Sequence, residues 1–213
     1  IIKQYSNELA PFVAFLANSS LRQGFFPSTQ KNAIITPVFK KPNLDLHNPA
    51  NYRPISNLSY LSKLLERCVG DQMNIYLNEN NILPRCQSAY RKHHSTETAV
   101  LKVLSDVYLA ADLGRITLLG LLDLSAAFDT VDHQILCDRL HNSFGLGGAV
   151  LKWFGSYLTG RSHCIRCNNV TSESASLLYG VPQRSVLGPV LFLLSTADVI
   201  GVNLFFGLLL VSC

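Results

Sequence analysis

Asp123 is the side chain in this sequence whose position most invites chemistry. It closes an apolar run, Leu118-Leu119-Gly120-Leu121-Leu122, and is followed by a small-residue turn, by Phe128, and by a helix start near Asp129 or Thr130. The run is predicted to be a buried strand. A carboxylate at the end of such a strand is costly unless something compensates its charge. A divalent cation does so at sites that handle phosphates. The competing reading is an aspartate that caps the next turn. Asp129 and Asp132, farther along, both fall near a helix N-terminus, where capping accounts for them.

Three other stretches place polar groups beside turn residues. Gln183 sits in a Gly-Val-Pro-Gln loop, residues 180–183, ahead of an apolar segment. Arg53 precedes Pro54, and Lys40 and Lys41 follow the apolar residues 33–39. Arg91 and Lys92 lie just before Ser95-Thr96-Glu97, a helix-start signature. Taken alone, Arg53 is best explained as a surface arginine before a proline.

These groups must be positioned by alternating helices and strands. Residues 4–22 carry Leu9, Phe12, Val13, Leu16 and Leu21 near helical spacing, closed by Gly24 and Pro27. Residues 33–39 are predicted to be a strand, placed at an edge because of Pro37. Ser59 or Ser62 caps a helix running to about Asn78, with Leu61, Leu64, Leu65, Cys68, Val69 and Met73 as its stripe. Ser95 or Thr96 opens a third helix, with Ala99, Leu101, Val103, Leu104 and Val107 as its stripe. Further helices are expected over about 132–142 and 151–158, strands over 161–170 and 175–179 as a hairpin about Asn168-Asn169, and an apolar helix over 185–194.

The composition is that of a folded chain: 48% hydrophobic and 15% charged over 213 residues. The net charge of +4 permits nucleic-acid binding without demanding it. It arises between residues 31 and 67, where Lys31, Lys40, Lys41, Arg53, Lys63 and Arg67 face only Asp45 and Glu66; a solvated basic face is the plain account of that cluster. The scatter of Cys68, Cys86, Cys137, Cys164, Cys167 and Cys213 suggests no disulfide framework and a reducing, intracellular compartment. Cys164 and Cys167 after His163 make half a zinc site with no second pair, so no structural zinc is expected. The chain starts Ile1-Ile2 with Met73 its only methionine, which suggests part of a longer product; no signal peptide is expected.

Residues 121–133, LLDLSAAFDTVDH, resemble the first catalytic motif of reverse transcriptases, specifically those of non-LTR (LINE-type) retrotransposons. Residues 180–189, GVPQRSVLGP, resemble the family's GVPQGSVLGP motif. Residues 51–56, with Phe39-Lys40-Lys41, resemble its fingers motif, and residues 87–97 the segment read as Q-x-x-F-R-x-x-x-S-T. Trp153-Phe154 with Tyr157, in a WF-x-SYL-x-GR stretch, is core packing. The resemblance implies an α+β right-hand polymerase fragment: fingers-like residues 1–112, a partial palm (an antiparallel sheet with flanking helices) over 113–198 with an interleaved segment at about 135–178, no thumb, and an apolar tail over 199–213 unrelated to the family.

The resemblance also implies roles. Asp123 would bind catalytic Mg²⁺ or Mn²⁺ and be the catalytic carboxylate. Phe128 would abut the sugar of the incoming nucleotide, Gln183 would lie against nucleotide and template, and Lys40, Lys41 and Arg53 would lie near the triphosphate of a dNTP. Arg91 and Lys92 would contact the backbone of an RNA template paired to a DNA primer, with Tyr90 packed in the core. Two departures stand out. Arg184 occupies the family's glycine; its side chain would fill the nucleotide pocket, be strained if φ is positive, or bind phosphate. No Asp-Asp pair occurs in the sequence, and Asp198 is single and too early for the second carboxylate motif. The chain is therefore expected not to polymerise, since two-metal transfer uses carboxylates from two strands. A non-catalytic nucleic-acid-binding remnant and an unstable pseudogene product are the alternatives. The fifteen uncharged tail residues fall short of the roughly twenty that span a bilayer.

Overall fold

The computed structural model describes residues 4–84, 87–91, 93–121, 127–168 and 170–198. The tail over 199–213 and Cys86 lie outside the described residues. In chain order the elements are α1 (Ser6–Gln23), β1 (Asn32–Phe39), β2 (Tyr52–Asn57), α2 (Tyr60–Glu79), α3 (Thr96–Asp112), α4 (His133–Asn142), α5 (Gly148–Leu158), β3 (Arg161–Cys167), β4 (Val170–Thr171), β5 (Ala175–Leu177) and α6 (Gly188–Ser195). This is a mixed α+β arrangement. No described helix is long and apolar enough to cross a membrane.

Local chemistry explains most of the boundaries. Ser59 Oγ accepts from the Ser62 amide and starts α2. Ser95 and Thr98 exchange side-chain and backbone hydrogen bonds in a capping box at the start of α3. Asp132 accepts from the Gln134 and Ile135 amides, both at 2.9 Å, and caps α4. Pro189 falls in the first turn of α6, where its missing N–H has no helical partner to lose.

The sheet corrects two expectations. Pro37 does not make β1 an edge strand: β1 lies between β2, antiparallel, and β3, parallel. The parallel ladder runs only from Asn32 to Ile35, so Pro37 lies beyond the paired stretch and blocks no hydrogen bond of that ladder. The sheet is consequently mixed, not antiparallel throughout. β3 and β4 pair antiparallel on either side of the expected turn, of which Asn169 lies outside the described residues, and β5 also pairs antiparallel with β3.

The second correction concerns residues 118–122. Residues 118–121 form no strand, and Ile116 and Leu118 are 99% and 90% exposed. None of the described strands runs beside them, and an apolar strand without a ladder partner has neither hydrogen bonds nor cover. The stripe of α3 is likewise only partly covered, with Ala99 buried, Val103 and Val107 half-buried and Leu101 and Leu104 exposed, and Phe12 projects from α1. Their helical spacing is real, but no described element lies against those faces.

The core lies among α1, α2, α4, α5 and α6. Phe26, Trp153 and Tyr157 form its aromatic centre. Trp153 stacks parallel to Tyr157 at 5.5 Å, and Phe26 meets both rings edge-on. Trp153 Nε1 donates to Ser20 Oγ at 2.9 Å, and Ser156 Oγ accepts from the Phe26 amide at 3.0 Å, tying α5 to α1 and to the chain that follows it.

Glu66, on α2, is 0% exposed. Its carboxylate accepts from Ser62 Oγ at 2.9 Å and from the Val186 and Leu187 amides at 2.7 and 3.3 Å. It thereby holds the loop ahead of α6 against α2. Glu66→Ala leaves two buried amides without an acceptor and is expected to cost about 2–4 kcal/mol. Glu66→Gln keeps a carbonyl for the amides and an NH₂ for Ser62, and is expected to cost about 1 kcal/mol. Urea unfolding of both variants checks this ordering; equal losses would show that the amides do not depend on the carboxylate.

Candidate functional site

The turn over residues 127–131 is laced to the loop over 180–183. The Gly180 amide donates to the Val131 carbonyl at 2.7 Å and the Val181 amide to the Phe128 carbonyl at 2.8 Å. His133 Nε2 lies 2.7 Å from the Gly180 carbonyl oxygen. Gly180 has φ +83°, and a Cβ there would lie 2.8 Å from the Phe128 oxygen and 2.9 Å from Asp129 Cα. Only glycine fits this crossing, on both steric and conformational grounds. The Phe128 ring packs on Phe192 of α6 at 5.2 Å.

Phe128 and Gln183 are therefore neighbours. Gln183 Nε2 donates to both carboxylate oxygens of Asp129 at 3.2 Å. This corrects the reading of Asp129 as a helix cap: α4 begins at His133, so Asp129 lies one turn too early and faces the loop instead. Asp123 and Lys92, both expected site residues, lie outside the described residues.

Lys40, Lys41 and Arg53 gather at the other end of the β1–β2 ribbon, all exposed. The Lys40 amide donates to the Asn51 carbonyl at 2.9 Å, and Arg53 pairs with Val38 across the ladder. Pro54 and Ser56, which flank the Gln183 loop, point to the opposite face of β2 from Arg53, because side chains alternate along a strand. Arg53 thus lies on one sheet face, and Gln183 borders the other. Arg91 Nη1 donates to the Pro84 carbonyl at 3.4 Å. Tyr90, expected in the core, is exposed at φ +54°; it lies in a turn and not on an element with a buried face. His93 and His94 lie in the same turn, both exposed.

Sequence reasoning missed the most unusual electrostatics. A cleft between the sheet and the 180–183 loop is lined by Lys31, Arg161 and His163 together with Asp129 and Gln183. Lys31 is 8% exposed and Arg161 3%. Arg161 Nε donates to the Tyr157 carbonyl at 2.7 Å, while both Nη atoms are buried and without a hydrogen-bond partner. The guanidinium stacks on Tyr157 at 4.3 Å and over Phe26 at 5.5 Å. Cation–π contacts contribute about 0.5–2 kcal/mol, less than the several kcal/mol that burying an ion costs. Burial, then the neighbouring Arg161, hold the Lys31 ammonium below the usual lysine range. Burial, then the Glu66 carboxylate, push the Tyr157 phenol well above its ordinary value, so it stays protonated. Charge spacing alone groups Lys31 with a solvated basic cluster, because burial cannot be read from it. The one available signal was an arginine directly after a helix-ending Thr-Gly.

Among the described residues, no three His, Cys, Asp or Glu side chains converge as metal ligands. Among the described residues, Asp129 is held by Gln183 and Asp132 by the α4 cap. Asp198 pairs with Arg139 at 2.7 Å. The described residues therefore do not themselves make a divalent-ion site. Cys164 and Cys167 are three residues apart on β3 and point to opposite faces, so they cannot chelate one ion together.

Arg184 has φ +66° and is exposed, and it does not line the cleft. The left-handed backbone anticipated for a glycine is thus present, while the side chain turns to solvent instead of filling a pocket. Arg184→Gly relieves the left-handed strain of a branched Cα at the cost of some unfolded-state entropy, and is expected to stabilise by about 1 kcal/mol. A thermal melt should rise by roughly 2–4 °C; a fall would mean that Arg184 makes contacts outweighing its strain.

Comparison with known proteins follows the same lines. Residues 39–203 match the family model described as reverse transcriptase (RNA-dependent DNA polymerase). The chain is 37% identical over 188 residues to the "Probable RNA-directed DNA polymerase from transposon BS" of Drosophila melanogaster, covering 88% of this chain and 20% of that protein. It is 30% identical over 199 residues to the RNA-directed DNA polymerase from mobile element jockey of Drosophila funebris, covering 92% of this chain and 21% of that protein. It is 29% identical over 189 residues to the "Putative 115 kDa protein in type-1 retrotransposable element R1DM" of Drosophila melanogaster, covering 89% and 18%. The chain spans about one fifth of the length of these relatives. Matched in its motifs and over most of its length, the chain belongs to the reverse transcriptase family, in the non-LTR (LINE-type) retrotransposon group.

Proposed function

We propose that this chain forms the fingers and part of the palm of a retrotransposon RNA-directed DNA polymerase, with residues 1–112 fingers-like and 113–198 the partial palm around an interleaved segment at about 135–178. The tail over 199–213 falls outside that pattern in this reading. The observation that carries the proposal is the lacing of residues 127–131 to residues 180–183. It sets Phe128 beside Gln183, two side chains that must share one nucleotide if they are to select it together.

In this reading Phe128 bears on the sugar of an incoming dNTP and Gln183 lies along its base and the template. Lys40, Lys41 and Arg53 meet the triphosphate from the tip of the β1–β2 ribbon. Arg91 and Lys92 meet the backbone of an RNA template paired with a DNA primer. Magnesium or manganese is the cofactor of the intact reaction, supplying charge stabilisation for the entering and leaving oxygens. Asp123 is the carboxylate assigned to it. A single aspartate cannot place two ions, so the chain alone is read as binding nucleic acid without extending a primer.

Primer extension with the purified chain, an RNA template, dNTPs and magnesium or manganese is expected to show no product above a no-enzyme blank. The same protein is expected to bind the template–primer with affinity falling steeply as salt rises. Arg53→Ala is expected to weaken binding and to reduce the slope of log affinity against log salt by about 1. Processive extension would sink the non-extending reading, and salt-independent or absent binding would sink the assignment of the basic residues.

A further inference from the structure

Lys31 and Arg161 line one cleft, and both Arg161 Nη atoms are buried without a hydrogen-bond partner, a state that calls for an explanation. Lys31 enters from the turn ahead of β1 and Arg161 from the first residue of β3, so the parallel pairing of those strands is what brings them together. A Cβ placed on Gly160 would lie 3.9 Å from Lys31 Nζ, which locates the ammonium over the corner that leads into Arg161. Phe25 lies under the ammonium at 5.5 Å. His163, two residues on along the same strand face, adds a buried Nδ1 without a hydrogen-bond partner. The acid that lines the cleft, Asp129, already accepts from Gln183 through both oxygens.

The donors left over have a particular form. The two Nη atoms of a guanidinium present parallel N–H groups that match two oxygens of one oxyanion, and a lysine ammonium supplies a point charge beside them. The cavity is about 50 Å³, enough for a few water-sized groups and so for a single tetrahedral oxyanion. A carboxylate would fill two donors; a phosphate has oxygens for the guanidinium, the ammonium and the imidazole at once.

We propose that Lys31, Arg161 and His163 form a phosphate-binding site in the cleft behind the Gln183 loop, on the sheet face away from Arg53. Its ligand is a phosphate group, carried by a polynucleotide backbone or by a free nucleotide. That choice of carriers rests on the family of the chain, whereas the site itself rests on the buried donors. Filling it ties the β1–β3 corner to the 180–183 loop, so that binding there stiffens the loop on which Gln183 stands.

The test uses the purified 213-residue chain and inorganic phosphate, against chloride at equal ionic strength. Phosphate is expected to raise the melting temperature and to broaden its own ³¹P resonance. Lys31→Met removes a buried charge without opening the core; it is expected to melt at or above the parent temperature in chloride and to bind phosphate at least tenfold more weakly. Arg161→Gln is expected to lose the phosphate response as well, and Lys31→Met carries the test should that variant fail to fold. A dNTP and a short single-stranded oligonucleotide without terminal phosphates then compete for the site; displacement by the oligonucleotide assigns a backbone phosphate and displacement by the dNTP alone assigns the triphosphate. Equal phosphate responses of the parent and Lys31→Met, or no phosphate response beyond chloride, overturn the proposal. Neither result bears on primer extension, so this site and the polymerase reading fail separately.

Discussion

The buried carboxylate of Glu66 is the constraint on which the arrangement of this molecule turns. It receives a hydroxyl from its own helix and two backbone amides from the loop ahead of α6. Those amides belong to a segment that cannot satisfy itself: it follows Gly180, leaves Arg184 left-handed, and only then becomes helical. An ionised acceptor makes stronger bonds than a neutral one, and here it replaces the helical partners that the loop lacks. With that loop held, α6 can bury Leu187, Leu191 and Leu194, and Phe192 can reach Phe128.

A second set of bonds extends the same loop in the other direction. Gly180 and Val181 donate to the 127–131 turn, and Asp129 receives Gln183. Two segments about fifty residues apart are thereby set at fixed spacing, with the intervening helices, hairpin and sheet folded to one side. The sheet does a different job. By pairing β1 in parallel with β3 it joins the early part of the chain to the later part and brings Lys31 to Arg161, while β2 carries Arg53 on the far face. Arg53 and the buried cationic cleft are consequently on opposite faces of one sheet.

Most helices were legible because their signals are local. Ser59, Ser95 and Asp132 sit one residue ahead of helices that each of them caps, and β3 and β4 pair as close neighbours in sequence. Misreadings arose where position depends on a partner distant in sequence. Pro37 argued for an edge strand, yet the neighbouring ladder simply stops short of it. Residues 118–121 have the apolar character of a buried strand, but character alone supplies no ladder. Asp129 looked like a cap until the helix began later and Gln183 came within reach.

The sequence by itself determined the ancestry of the site: the order and spacing of its motifs, the glycine at 180, the arginine where glycine is usual, and the absence of an Asp-Asp pair. These are properties of short segments, and short segments carry them wherever they lie. Tertiary structure alone decided that the Phe128 turn meets the Gln183 loop, that Arg53 lies on the sheet face away from that loop, that Glu66 is a buried clamp, and that Lys31 and Arg161 share a cleft. Each of those facts depends on burial and on pairing across a hundred residues or more in some cases, and the free energy of a charge is set by the solvent and partners it finally meets, which no local pattern of residues records.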